Sequence, residues 1–322
     1  MSEVLEIACL EEFWASHSGK GPPLDEMVGK LLLDTLGLGN QQVFEQLYQV
    51  KPDYAGFQAW ILETAGPPDP RLVDRYHAWL YEMPPGGDAQ AQLDAIAAMP
   101  DVLDAAALAH WDAHGYVILS DAIGADEIAA VKALLWGVID ASPDDVESWF
   151  TAKTNGIMVP HFQHPALEAA RRSPRVHKAF AQLWGGENLW VTIDRMGFNP
   201  PERADRPFAG SDVHWDASLV QPIPFGTQAV LYLSDTAEDQ GAFRCVPGFH
   251  KRIDGWLAGL DGANPREADL SADVKHIAGK AGDLIIWRQD LPHAASPNRS
   301  DKPRLAQYLT YYSPNMTIRP WR

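Results

Sequence analysis

The sequence predicts an α+β protein in which a helical N-terminal region precedes a β-rich barrel or sandwich flanked by helices. Two observations carry this. From Leu24 to Leu80, apolar residues recur every three to four positions, the period of a helix with one buried face. Beyond about residue 186, short apolar runs alternate with Gly, Pro, Asn and Asp, as expected for short strands joined by turns.

Taken in order, Val28, Leu31, Leu32, Thr35 and Leu36 share one helical face, and after a break at "GLGN" so do Val43, Phe44, Leu47 and Tyr48. "KPDYAGFQAWILE" begins with Pro52 and Asp53 and carries Phe57, Trp60 and Ile61 on its apolar side. "PRLVDRYHAWLYE" repeats the pattern with Leu72, Tyr76, Trp79 and Leu80. "MPPGGDAQAQ" shifts to Pro, Gly and small polar residues and reads as a loop or linker. The predicted division is a helical region over 1–88, a linker over 89–101 and a β-rich domain over 102–322. That domain opens with a helix ended by Gly115, a strand "YVILSDAI" and an amphipathic helix "GADEIAAVKALLWGVIDA". The strand candidates follow: "LWVTIDRMGF", "DVHWDASLV", "TQAVLYLSD", "AFRCVPG", "VKHIAG", "DLIIW" and "RLAQYLTYY".

The formal net charge of -17 argues against nucleic acid and anionic membranes, which both require a basic footprint. No run approaches the roughly 18 apolar residues that span a bilayer, and the acidic N-terminus does not read as a secretory signal. Cys9 and Cys245 are too few and too far apart for a disulfide framework or a zinc knuckle. A cytoplasmic protein with a small-molecule substrate is expected.

"SDVHWDASLV" (211–220) places His214 and Asp216 two positions apart. On a strand they project from one face while Trp215 packs on the other, which suits one metal ion or two polar groups on a wet face. His293 supplies a third candidate ligand. Two histidines and a carboxylate leave three coordination positions open, as in non-haem Fe(II) oxygenases. Arg304, eleven residues on, has the planar fork that holds a carboxylate by two parallel hydrogen bonds.

His214-x-Asp216, "GAFRCVPGFH" (241–250), "GDLIIW", and His293 followed by Asn298, Ser300 and Arg304 together resemble the phytanoyl-CoA dioxygenase family of Fe(II)/2-oxoglutarate oxygenases. The resemblance extends from about Val102 to about Tyr312. It implies a double-stranded β-helix, a jelly-roll or cupin-like barrel, flanked by helices. It also implies His214, Asp216 and His293 as the catalytic iron ligands and Arg304 as partner of the distal carboxylate of 2-oxoglutarate. Fe(II), 2-oxoglutarate and O2 are then the cofactor and co-substrates, and the reaction oxidises a C–H bond while 2-oxoglutarate becomes succinate and CO2. Related halogenases carry a small residue in place of the carboxylate, so Asp216 favours hydroxylation, desaturation or ring chemistry over halogenation, with hydroxylation the leading expectation.

Two positions depart from the family pattern. Ala295, with Ser296 next, stands where many members have a hydroxyl, and Val230 or Leu231 stands where an aromatic is common. Pro247-Gly248 is expected to turn between strands. Arg195 is a further candidate for 2-oxoglutarate or substrate, Asn199 lies beside it, and His161 and His164 are candidates for a lid; His250 is expected to be structural. A homodimer through the N-terminal helices is compatible with their aromatic stripes. The rival readings are a cupin-like metalloenzyme using another divalent metal for hydrolysis or isomerisation, and a non-catalytic binding protein on the same barrel.

Overall fold

The computed structural model describes residues 5–320. Its first elements are α1 (Leu10–His17), α2 (Glu26–Thr35), α3 (Asn40–Glu45), α4 (Tyr54–Ala65), α5 (Pro70–Leu80) and α6 (Gly87–Ala98). Asp25, Asp53 and Asp69 accept hydrogen bonds from the otherwise unpaired N–H groups that open α2, α4 and α5. Leu10, Phe13, Leu31, Leu32, Phe57 and Ile61 form a core that also takes in Trp190 and Tyr312, so the helical layer packs directly on the β-rich part. Most of the expected linker over 89–101 is helix instead. The break between α5 and α6 covers only Tyr81 to Gly86, and the Ala, Gln and Leu that follow are good helix formers, burying Leu93 and Ile96.

The chain continues through α7 (Ala105–His114), which ends at the left-handed Gly115, then β1 (Tyr116–Leu119) and α8 (Ala125–Ile139). Next come β2 (Met158–Val159), α9 (Pro165–Arg171), α10 (Pro174–Trp184), β3 (Trp190–Val191) and β4 (Met196–Asn199). The remaining elements are β5 (Thr227–Tyr232), β6 (Phe243–Cys245), α11 (Ile253–Ala258), β7 (Lys275–Ile277), β8 (Leu284–Arg288), β9 (His293–Ala295), β10 (Arg304–Tyr308) and β11 (Tyr311–Tyr312).

The strands pair antiparallel in a larger sheet, β1-β8-β5-β10-β4-β2, a smaller one, β7-β6-β9, and the pair β11-β3. Alternation sorts the larger sheet's side chains. Leu231, Leu284, Ile286 and Leu305 pack with Val131, Leu135, Leu167 and Val176 of the helices. Val230, Tyr232, Ile285, Trp287 and Ala306 turn the other way and share a core with Phe243 and Cys245 of the smaller sheet. The site lies on this second, inner face.

Three sequence expectations change. "DVHWDASLV" is not a strand: only His214 bridges, exchanging N–H to O bonds of 3.0 Å with His293 in both directions. β9 is three residues long and its other edge is taken by β6, and Pro222 and Pro224 downstream lack the N–H a ladder needs. His293 is the first residue of β9, not part of a loop. Pro247-Gly248 leads from β6 into a single 3-10 turn and α11 rather than into the next strand.

α10 is docked through His177, whose ring centroid lies 4.8 Å from that of Tyr311 and whose Nε2 lies 2.8 Å from the Glu187 carbonyl oxygen. Burial pushes its pKa down from 6.5 to about 4. The unfolded chain therefore takes up a proton that the folded one excludes, and stability present at neutral pH is lost as pH falls from about 6.5 to about 4. The loss is on the order of 2–3 kcal/mol. The fall in urea midpoint between pH 7 and pH 4.5 should be larger for wild type than for His177→Gln; equal pH dependence in both would refute this.

Candidate metal centre and its surroundings

His214, Asp216 and His293 offer ligand atoms that all lie within 4.8 Å of one another. The bridge between His214 and His293 sets these two residues side by side, and Asp216, two residues further on at a bend, reaches both imidazoles. Trp215 points away, as its position between them predicts. It is 2% exposed, packs on Phe249 and Trp256, and donates to the Asp290 carbonyl at 3.1 Å.

The hydrogen bonds fix what each group offers. His214 Nδ1 lies 2.7 Å from the Asp212 carbonyl oxygen and His293 Nδ1 lies 3.0 Å from that of Leu291. A carbonyl only accepts, so both Nδ1 atoms carry the proton and a neutral ring presents a lone pair at Nε2. These Nε2 atoms face Asp216 at 3.2 and 3.3 Å. Lone pairs facing a carboxylate repel unless a cation or proton lies between, so the donor set fits a divalent metal. The same logic sets the proton affinities. Hydrogen bonding to Asp216 raises the His214 pKa; burial alone would raise that of Asp216, but His214, His293 and Gln228 together hold it well below the carboxylate range.

Gln228 is a site residue that the sequence reading missed. Its Nε2 donates to Asp216 Oδ2 at 2.8 Å, and its Oε1 accepts from Trp287 Nε1 at 3.1 Å. The Trp287 bond fixes which end of the amide faces the carboxylate. Such supporting residues typically carry about 10–100-fold in metal affinity. Gln228→Leu is therefore expected to weaken Mn(II) binding by about that factor, read by electron paramagnetic resonance titration, with Gln228→Asn less affected. Wild-type affinity in the leucine variant would refute the role.

Arg304 opens β10 on the inner face, with Ala306 and Tyr308, and is 1% exposed. Nη2 donates to the Tyr308 hydroxyl at 3.0 Å, while Nε is buried with no hydrogen-bond partner. Arg304 makes no ion pair among the described residues. Gly197 on β4 leaves room beside it, since a Cβ there would lie 2.9 Å from the Tyr308 ring. A buried guanidinium with donors to spare is costly unless it holds an anion, so it fits a carboxylate co-substrate. The loop between β9 and β10 is pinned by Asn298, which donates to the carbonyls of Asn199 and Lys302, both at 2.8 Å, and accepts from Ser300.

Other predicted residues go elsewhere. Arg195 is a correction: its guanidinium pairs with Asp194 at 3.2 Å and donates to Gln41 of α3 at 2.5 Å, and no contact brings it to the triad. It precedes β4 at the end opposite to Asn199, which is the residue that stands across from Arg304. Asn199 donates to the Ser296 carbonyl. His164 caps α9 through Nδ1, and His161 stands 6.4 Å from it between ring centroids. His250 lies against the Asp112 carbonyl, a structural contact. Ser296 spends its hydroxyl on the Ala242 carbonyl at 2.8 Å, and Val230 rather than Leu231 faces the interior.

A two-histidine, one-carboxylate group set beside two antiparallel sheets is the ligand set of the non-haem iron oxygenases. The family model for phytanoyl-CoA dioxygenase (PhyH) matches residues 111–306, and the chain belongs to that family. It is an Fe(II)/2-oxoglutarate-dependent dioxygenase, with iron as cofactor and 2-oxoglutarate as co-substrate. An ectoine dioxygenase of Bordetella bronchiseptica is 22% identical over 243 residues, covering 68% of this chain and 79% of that one. Among solved structures, AviO1 from Streptomyces viridochromogenes has a TM-score of 0.50 at 19% identity, covering 69% of this chain and 100% of that one. The epimerase SnoN, in complex with Fe3+, alpha ketoglutarate and nogalamycin RO, has a TM-score of 0.50 at 18% identity, covering 67% and 85%. Both structures are likenesses of fold. Among the described residues, no helix is long and apolar enough to cross a membrane.

Proposed function

We propose that the protein hydroxylates a C–H bond of a small metabolite while 2-oxoglutarate is converted to succinate and CO2. His214, Asp216 and His293 hold the iron, and Arg304 grips the distal carboxylate of 2-oxoglutarate. The observation that carries this reading is the pair of tautomer-fixed Nε2 lone pairs facing Asp216 at 3.2 and 3.3 Å. On the same reading the two sheets form a double-stranded β-helix, and residues 102–322 are the dioxygenase domain on which the N-terminal helices pack.

Iron, when bound, supplies the activation of dioxygen, and the chain supplies position and surroundings. Three protein ligands leave coordination positions for co-substrate and dioxygen. Gln228 holds Asp216 in register with the two imidazoles. The rings of Trp287 and Phe243, centred 5.0 and 6.2 Å from that of His293, form an apolar wall that limits water at the buried side of the site. Arg304 fixes the far end of 2-oxoglutarate, which sets the near end against the ligands.

Anaerobic titration with Fe(II) and 2-oxoglutarate tests the reading. The weak visible charge-transfer band of the chelate should appear, and aeration should then release succinate, faster with the true metabolite. A cupin-like hydrolase or isomerase using another metal would give neither, and absence of the band in wild type would overturn the proposal.

A further inference from the structure

After β11 the chain turns back across the N-terminal helices. Met316 and Ile318 pack against the helical core, and the Asn315 side chain accepts from Trp79 Nε1 at 3.4 Å. This course brings Arg319 to a cavity of about 300 Å³ whose lining also includes Asp216, Ser218, Gln289 and Glu26. The C-terminal segment and the first turn of α2 thus border the space beside a proposed iron ligand.

The charges in this cavity are not spent on each other. Arg319 forms no ion pair among the described residues, and its Nε is buried without a hydrogen-bond partner. Other arginines of this acidic chain do find a carboxylate, Arg171 with Glu168, Arg203 with Glu147 and Arg288 with Asp290, whereas Arg319 shares with Arg304 both the missing ion pair and the buried, unpartnered Nε. Glu26, in the same cavity, likewise has no ion-pair partner among the described residues. The volume lies at the lower end of the range for small-molecule sites, about 300–1,000 Å³.

We infer that Arg319 anchors the carboxylate of a small zwitterionic metabolite, an amino acid or a derivative that keeps both charges, with Glu26 receiving its ammonium group. The planar guanidinium fork matches a carboxylate by paired hydrogen bonds, and Asp216 places the bound molecule beside the metal centre. This assignment rests on the proposed function for the use made of the cavity, but binding can be read without turnover.

The test is saturation-transfer NMR of the metal-free protein with linear ω-amino acids of about three to six carbons, their carboxamides and their N-acetyl derivatives, a size range set by the cavity volume. The amino acids should receive magnetisation from the protein, and the carboxamides should not. Half-saturation should weaken on the order of tenfold or more in Arg319→Gln, recover partly in Arg319→Lys, and persist in Arg304→Gln, which excludes binding at the co-substrate position. Glu26→Gln should narrow the advantage of the free amine over its N-acetyl form. Equal binding of acids and amides, wild-type binding in Arg319→Gln, or no binding by any probe would overturn the inference. A missing iron–2-oxoglutarate band alongside intact probe binding would instead count against the proposed function alone.

Discussion

Replacing His293 with alanine is expected to abolish iron binding and, with it, 2-oxoglutarate-dependent succinate release. His293 is the most buried of the three proposed ligands, at 5% exposure, and its ring is set by Leu291, Trp287 and Phe243. Among the described residues, the triad is the one group of three or more His, Cys, Asp or Glu with converging ligand atoms. Its loss leaves His214 and Asp216, both substantially exposed, with no third donor to close the site. Removing a residue that merely supports a ligand costs about 10–100-fold in affinity, so removing the ligand should exceed that. Iron content after anaerobic reconstitution and succinate release measure it. His293→Gln, closer in volume, separates ligand loss from a packing defect: both variants should fail to hold iron, with the glutamine form melting nearer to wild type. Wild-type iron content in either would remove His293 from the ligand set.

Arg304→Gln is expected to keep iron but raise the half-saturating concentration of 2-oxoglutarate by roughly 30-fold or more. Truncating one partner of a buried, hydrogen-bonded charge pair costs about 2–5 kcal/mol, and about 1.4 kcal/mol is tenfold. Here the whole guanidinium is enclosed, with Tyr308 accepting from Nη2 and Nε unspent. Lysine would keep the charge but lose the fork, so Arg304→Lys should recover only part of the affinity. Tyr308→Phe should have a smaller effect, because it loosens the orientation of the guanidinium without removing it. The chelate band titrated with 2-oxoglutarate reads all three; unchanged half-saturation in Arg304→Gln would refute the assignment.

Much of the helical layer was legible because its signal is local. Leu31, Leu32, Phe57 and Ile61 repeat at the helical period and are buried, and Gly115 ends α7 in the left-handed conformation that suits glycine. The segment at 83–92 misled because its Pro and Gly residues cover only the turn, while the residues behind them favour helix. The His-x-Asp argument reached the observed convergence through the wrong element. The chain bends at Val213 and Asp216, and the convergence comes from the single His214–His293 bridge and from the contacts of both imidazoles with Asp216.

Arg195 and Gln228 mark where sequence reasoning stopped. Arg195 lies at the end of β4 covered by α3, a placement fixed by the β4–β10 register and by packing of a helix about 150 residues earlier in the chain. Gln228 matters only because β5 pairs with β8 so that it stands across from Trp287, and because the 214–216 segment lies over that pair. By itself, the sequence determined the helical layer and the β-rich remainder, because periodicity belongs to short spacings, and its motifs nominated His214, Asp216, His293 and Arg304 through residue chemistry and the family resemblance they carry. Only the tertiary structure decided which arginines keep unspent donors, which amide orients Asp216 and which chain segment borders the space beside it. Those properties depend on partners far apart in the chain, and strand register and helix docking select them.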